Sequence, residues 1–169
     1  YISHVISAID IALWDIRGKV LGVPIYDLIG GPVRESVPLY THVRDIGSGN
    51  DKEKAIDAMI EQAKLTVAAG YQAIKTDPFP NRKTPGETHY GANLVERMEP
   101  KAISQAVEWM EALRETVGPD YEILVDAHAR MDVPSAIKGA NAIEHIDLVW
   151  FEEPTHVENH NALRQIREN

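Results

Sequence analysis

Residues Tyr121 to His128 read YEILVDAH, and two further stretches share the form: YQAIKTD from Tyr71 to Asp77 and DLVWFEE from Asp147 to Glu153. Each is a short run rich in β-formers that closes on ionisable groups: Lys75 and Asp77, Asp126 and His128, Glu152 and Glu153. Helical periodicity separates the runs, and their apolar character suits parallel strands covered on both faces. Two architectures accommodate that rhythm, a doubly wound open sheet and a (β/α)-barrel. No strand is followed by G-x-G-x-x-G or G-x-x-x-x-G-K-[ST], so the usual phosphate-cradling loops are absent. Ionisable residues at the carboxyl ends of three strands are what a barrel gathers at its catalytic face. The sequence therefore predicts an α/β fold, part of a (β/α)-barrel, comprising about four strand-helix units.

Upstream, Ile2, Val5, Ile9, Leu13, Ile16 and Val20 recur at helical spacing, and the helix should stop near Gly22 and Pro24. Gly30-Gly31-Pro32 is punctuation, and SVPLYTHV from Ser36 to Val43 reads as the first strand. The expected division is a linking helix and turn over 1–35, then the barrel half over 36–169. Asn50 can cap the next helix, with Glu53 at capping-box spacing and Ile56, Met59, Ile60, Ala63 and Val67 on its apolar side; Gly70 is the expected stop. The polar stretch Pro78 to Pro100 exceeds an ordinary connection and holds Arg82, His89 and Tyr90, contacts that loop length alone does not assign. A helix from Lys101 carries Ile103, Ala106, Val107, Met110, Leu113 and Val117 on one side and halts at Gly118-Pro119. Pro134 suits the first turn of a helix with Ile137, Ala140 and Ile143 buried, and a final helix starts near Asn159.

Composition narrows the chemistry. The 169 residues include 17 Lys and Arg against 26 Asp and Glu, a formal charge of -9, which argues against a general polyanion-binding surface; nucleic acid is not an expected partner. The absence of cysteine excludes disulfides, thiolate metal sites and a Cys nucleophile, leaving carboxylates, His, Lys and hydroxyls. No apolar run approaches the roughly 18 residues of a membrane span, and a cytoplasmic location without membrane partners is the expectation. The chain opens at Tyr1, without Met, directly in a helical pattern, so a piece of a longer polypeptide is also expected.

Side chains alternate along a strand, so Lys75 shares a face with Asp77, and Leu124 and Asp126 share one with His128. In the fourth strand Val149 and Phe151 look helix-facing, which turns Glu152 rather than Glu153 inward. Asp126 and Glu152 then offer hard anionic oxygens of the kind Mg²⁺ prefers, although two carboxylates are an incomplete site. Taken singly, each acid better suits the N-terminus of the following helix, and Lys75 equally suits solvent. Lys75 in the site would hold positive charge beside a substrate carboxylate or act as a base, and His128 would move a proton near neutral pH. His42, near the end of the first strand, is a weaker candidate. Trp14, Trp109 and Trp150 read as packing residues.

SAIDIALWDIRGKVLGVPIYDLIGG at Ser7 to Gly31, with AIKTDPF, LVDAHAR and VWFEEP following in order, resembles the enolase superfamily in its mandelate racemase and muconate lactonizing branch. The resemblance implies a capping domain plus a modified barrel that uses Mg²⁺ and a base to remove the proton alpha to a substrate carboxylate, through a metal-stabilised enediolate. It makes Asp126 the first metal ligand, Glu152 the second, Glu153 their support and Lys75 the first lysine of the second-strand motif. Family racemases carry a second lysine where this chain has Asp77, a departure that argues against simple racemisation. Asp126-Ala127-His128 is similar to the acid-sugar dehydratases of the superfamily, in which such a histidine acts as an acid. The catalytic set is then Lys75, His128 and Asp77, with a sugar acid losing its beta hydroxyl to give a 2-keto-3-deoxy acid.

A complete (β/α)₈ barrel needs about 250 residues. By the resemblance, most of the capping domain precedes Tyr1, while the third metal ligand and the partner base lie beyond Asn169. The full-length protein is expected to be a homo-oligomer. Two other readings stay open: a racemase, epimerase or cycloisomerase of the same superfamily, and a non-catalytic half-barrel scaffold or assembly module.

Overall fold

The computed structural model describes residues 2–44, 51–79 and 97–169. The chain divides into two compact units, Tyr1–Pro38 and Leu39–Asn169. In the first, α1 (Ile2–Leu21) is followed by the short α2 (Ile25–Leu28). The reversal between them passes directly over Gly18: Val23 N–H donates to Gly18 O at 3.0 Å, and a Cβ on Gly18 would fall 2.9 Å from the Val23 carbonyl. The apolar stripe Ile2, Val5, Ile9, Leu13, Ile16 and Val20 lies exposed. No helix among the described residues is long and apolar enough to cross a membrane.

The second unit carries β1 (Tyr40–Val43), α3 (Lys52–Ala68), β2 (Ala73–Thr76), α4 (Pro100–Val117), β3 (Glu122–Asp126), α5 (Val133–Ile143), a 3-10 turn (Glu144–Ile146), β4 (Trp150–Glu152) and α6 (His160–Glu168). The strands are parallel and stand in the order β1-β2-β3-β4. A doubly wound sheet reverses its order at a switch point, whereas this one advances strand by strand, as a barrel does. The ladder sets His42 beside Lys75, Lys75 beside Leu124, Leu124 beside Trp150, and Asp126 beside Glu152. Alternation puts these residues and Tyr40 on one face. Val43, Ile74, Ile123, Val125 and Phe151 take the other, where they pack with Met59, Ala63, Ala106, Met110 and Leu113 from α3 and α4. Trp109 is buried there and donates Nε1–H to Thr76 Oγ1 at 2.9 Å.

Several local expectations need correction. The first strand contracts from Ser36–Val43 to Tyr40–Val43, since Pro38 has no N–H to offer a ladder. Asp51 rather than Asn50 caps α3, its side chain accepting from Lys54 N–H at 3.2 Å; Asn50 lies outside the described residues. The buried stripe of α3 runs through Met59, Ala63 and Thr66, leaving Val67 exposed. Coverage on both faces holds for β2, whereas Tyr40 on β1 and Trp150 on β4 are each 41% exposed. In α5 the buried positions are Ser135, Ala136, Gly139 and Ile143, while Ile137 and Ala140 are half-buried. Phe79 packs over this helix at Gly139: a Cβ there would sit 3.2–3.3 Å from its ring, so a larger residue requires the ring to shift.

Gly139→Ala tests that contact. Alanine in a helix interior ordinarily gains about 1 kcal/mol over glycine. Here the added methyl meets a buried ring that is itself backed by Phe151 at 5.9 Å between centroids. A net loss of about 1 kcal/mol is expected in urea unfolding. A gain would show that Phe79 yields freely.

Candidate active site

The carboxyl end of the sheet assembles the charges. Lys75, on β2, is 6% exposed, and its Nζ donates to Asp126 Oδ2 at 3.2 Å and to Glu152 Oε2 at 2.9 Å. The same ammonium lies 5.5 Å from the centre of the Tyr40 ring. Burial by itself pulls this amine down, but the hydrogen bonds and charges of Glu152 and Asp126 outweigh it and hold Lys75 above the ordinary lysine range. Trp150 Nε1–H also donates to Glu152 Oε2, at 3.2 Å. One Glu152 oxygen thus has two donors. Asp126 is 8% exposed, and its second oxygen, Oδ1, accepts the backbone N–H of His128 at 3.0 Å. It caps no helix; that role at α5 falls to Asp132, which accepts from Ser135 N–H at 2.9 Å.

His128 reaches the site by a route that strand alternation does not describe. β3 ends at Asp126, and His128 and Ala129 both take left-handed backbone, with φ of 53° and 55°. Such backbone is uncommon outside glycine and is sustained here by anchors on either side. Ala127 N–H donates to Glu152 O at 2.9 Å, and Ala129 N–H donates to Glu153 O at 2.7 Å. The resulting turn brings His128 Nδ1 to 3.3 Å from Asp77 Oδ2 and 3.5 Å from Asp126 Oδ1. The Asp77 carboxylate beside it, helped by Asp126, raises the imidazole's pKa above its ordinary value, against burial and the Arg130 charge.

Asp77 is held in turn. Its Oδ1 pairs with Arg130 Nη2 and accepts from Phe79 N–H at 3.3 Å. Arg130 was not among the sequence-predicted site residues, although it stands two positions after His128 in the LVDAHAR motif. Glu153, expected to support the ligands, has φ 42° and an exposed side chain; its carbonyl is what serves the site, by holding Ala129. His42 shares the Lys75 face, stacks on Tyr40 at 6.0 Å, and is lowered by burial and then by the Lys75 charge. Arg82, His89 and Tyr90 lie outside the described residues.

The donor set suits a hard divalent cation in part. Asp126 and Glu152 present carboxylates from directly paired residues of neighbouring strands, the oxygen chemistry Mg²⁺ takes alongside water and substrate. Among the described residues no group of three or more His, Asp or Glu is placed to hold a metal. These two acids therefore fit as part of a larger ligand set.

Comparison with known proteins agrees in family and fold. Residues 58–169 match the family model described as enolase C-terminal domain-like, and residues 1–30 match that of the mandelate racemase / muconate lactonizing enzyme N-terminal domain. A D-galactonate dehydratase family member from Streptomyces bingchenggensis is 35% identical over 96% of this chain and 41% of its own length. A D-gluconate dehydratase from Thermoproteus tenax is 34% identical over 96% of this chain and 29% of its own. The crystal structure of a mandelate racemase/muconate lactonizing enzyme-like protein from Rubrobacter xylanophilus superposes with a TM-score of 0.77 at 35% identity, covering 92% of this chain and 41% of that one. The chain thus spans less than half the length of these relatives.

Proposed function

Because the chain belongs to the mandelate racemase / muconate lactonizing enzyme family of enolase-like proteins, we propose that the complete polypeptide carrying it is a Mg²⁺-dependent sugar-acid dehydratase. It would remove the proton alpha to a carboxylate and expel the beta hydroxyl, giving a 2-keto-3-deoxy acid. The observation that carries this reading is His128, held by the left-handed turn beside Asp126, itself a carboxylate partner of the Lys75 ammonium. Relatives named as galactonate and gluconate dehydratases support it.

Each residue has a part. Asp126 and Glu152 are the ligands that would hold Mg²⁺, which when bound supplies positive charge to the substrate carboxylate. Lys75, kept as an ammonium by its two carboxylate partners, adds a second positive charge where negative charge develops. His128 protonates the departing hydroxyl, a role worth about 10²–10⁴-fold in rate. The remaining metal ligand and the base belong, on this proposal, to strands following these four. A sugar-acid substrate and homo-oligomeric assembly are part of the same proposal.

The test is a panel of aldonic acids incubated with the complete enzyme and Mg²⁺, read by 2-keto-3-deoxy acid formation. At least one acid should be dehydrated, and Asp126→Asn should abolish both turnover and the calorimetric signal of Mg²⁺ binding. Exchange of the alpha proton without loss of water would install the racemase or cycloisomerase reading instead. Absence of Mg²⁺ binding in the parent would favour a scaffold.

A further inference from the structure

Resting on the reading of Glu152 as a metal ligand, we propose that Trp150 is a positioning residue that sets metal preference. By holding Glu152 Oε2 through its indole N–H, it leaves a cation one oxygen of that carboxylate, Oε1, and so favours Mg²⁺ over Ca²⁺.

The two carboxylates at the strand ends are held differently. Asp126 has a donor on each oxygen, His128 N–H at 3.0 Å on Oδ1 and Lys75 Nζ at 3.2 Å on Oδ2. Among the described residues, Glu152 instead takes both of its donors on Oε2: Lys75 Nζ at 2.9 Å and the Trp150 indole N–H at 3.2 Å. An ammonium on a flexible stem would let the carboxylate turn about that contact, whereas a second donor in a rigid ring resists the rotation. The ring is itself placed. It meets Tyr40 edge to face at 5.8 Å, and Tyr40 stacks on His42 at 6.0 Å. Trp150 and Glu152 stand two apart on one face of β4, which pairs with β3 throughout, so the pleat fixes the distance the bond must span. Ca²⁺ has a large, flexible shell that accepts both oxygens of one carboxylate, while Mg²⁺ demands a small octahedral one that takes a single oxygen from each. A glutamate with Oε2 engaged twice serves Mg²⁺ and handicaps Ca²⁺.

Affinity ratio and indole resonance test this in the complete enzyme. Calorimetry gives the Kd of Mg²⁺ and of Ca²⁺ for the parent, for Trp150→Phe, which keeps a ring against Tyr40 but has no N–H, and for Trp150→Leu, which keeps neither. Both variants should lower the preference for Mg²⁺ over Ca²⁺ about tenfold, the worth of one hydrogen bond to a charged group. A general loss of structure would weaken both cations alike, so an unchanged ratio in both variants overturns the proposal. The bond itself is read from the Trp150 Nε1–H resonance of the parent, assigned by its loss in either variant. It should keep its downfield, hydrogen-bonded position when Mg²⁺ saturates the site. Movement to the position of a free indole would show Oε2 given up to the cation and would overturn the proposal as well. Dehydration confirmed with the ratio unmoved would refute this inference alone. A shifted ratio without dehydration of any aldonic acid would refute the reaction and leave the role of Trp150 standing.

Discussion

Lys75→Met in the complete enzyme is expected to lose turnover by about 10²–10³-fold, the worth of one preorganised charge-stabilising donor, while binding Mg²⁺ at least as tightly as the parent. The two effects separate because the Lys75 ammonium and a divalent cation seek the same oxygens. Nζ lies 3.2 Å from Asp126 Oδ2 and 2.9 Å from Glu152 Oε2, so removing it leaves two carboxylates with their main cation gone. Two carboxylates that shared one ammonium repel once it is gone, which destabilises the metal-free protein and makes its recovery by Mg²⁺ steeper. Calorimetry and melting curves against Mg²⁺ concentration read the binding, and product assays read the rate. Loss of metal binding together with activity would assign Lys75 to holding the site's shape rather than to its chemistry.

Arg114→Met is expected to cost about 3 kcal/mol of stability, although the residue lies away from the site. Arg114 sits in the last turn of α4 and donates to backbone carbonyls on three sides. Its Nη1 reaches Gly118 O at 2.9 Å and Tyr121 O at 2.6 Å; Nη2 reaches Ile146 O at 2.8 Å and Asp147 O at 3.1 Å; Nε shares the Ile146 carbonyl at 3.1 Å. One guanidinium thereby ties the end of α4 to the entries of β3 and β4, and methionine would leave those acceptors without a donor. Burial lowers its pKa somewhat, yet a guanidinium stays charged at any pH the fold survives. Arg114→Lys should restore less than half of the loss, since an ammonium lacks the planar fork. A urea midpoint for Arg114→Met equal to the parent's would mean that water serves the carbonyls as well.

What the sequence disclosed follows from which interactions are local. The stripes of α3 and α4 were legible because a 3.6-residue period is written into neighbouring positions, and Met59, Ala63, Met110 and Leu113 are indeed buried. Strand alternation placed Lys75, Asp126 and Glu152 on one face, and the pairing of Asp126 with Glu152 puts them together. The choice of Glu152 over Glu153 rested on Phe151 facing the helices, where it meets Phe79. His128 arrived at the expected place for another reason, since its turn is dictated by carbonyls of Glu152 and Glu153 on a different strand. Arg130 escaped notice because its partner Asp77 is 53 residues away, a distance that no periodic pattern spans. Trp150 looked like packing for a different reason: its indole N–H bond to Glu152, two residues on, is a matter of rotamer, and its exposure comes from standing on the outermost strand.

Tyr40 and Trp150 belong to the first and last strands of the sheet, yet their rings meet edge to face at 5.8 Å. In a flat sheet, three strand spacings would hold those backbones about 14 Å apart. The rings meet because the sheet curls about the face they share, with the Lys75 ammonium resting above the Tyr40 ring. The ammonium is thus flanked by an aromatic ring on the side of the strands' amino ends and by two carboxylates on the side of their carboxyl ends, an environment that screens its charge unevenly.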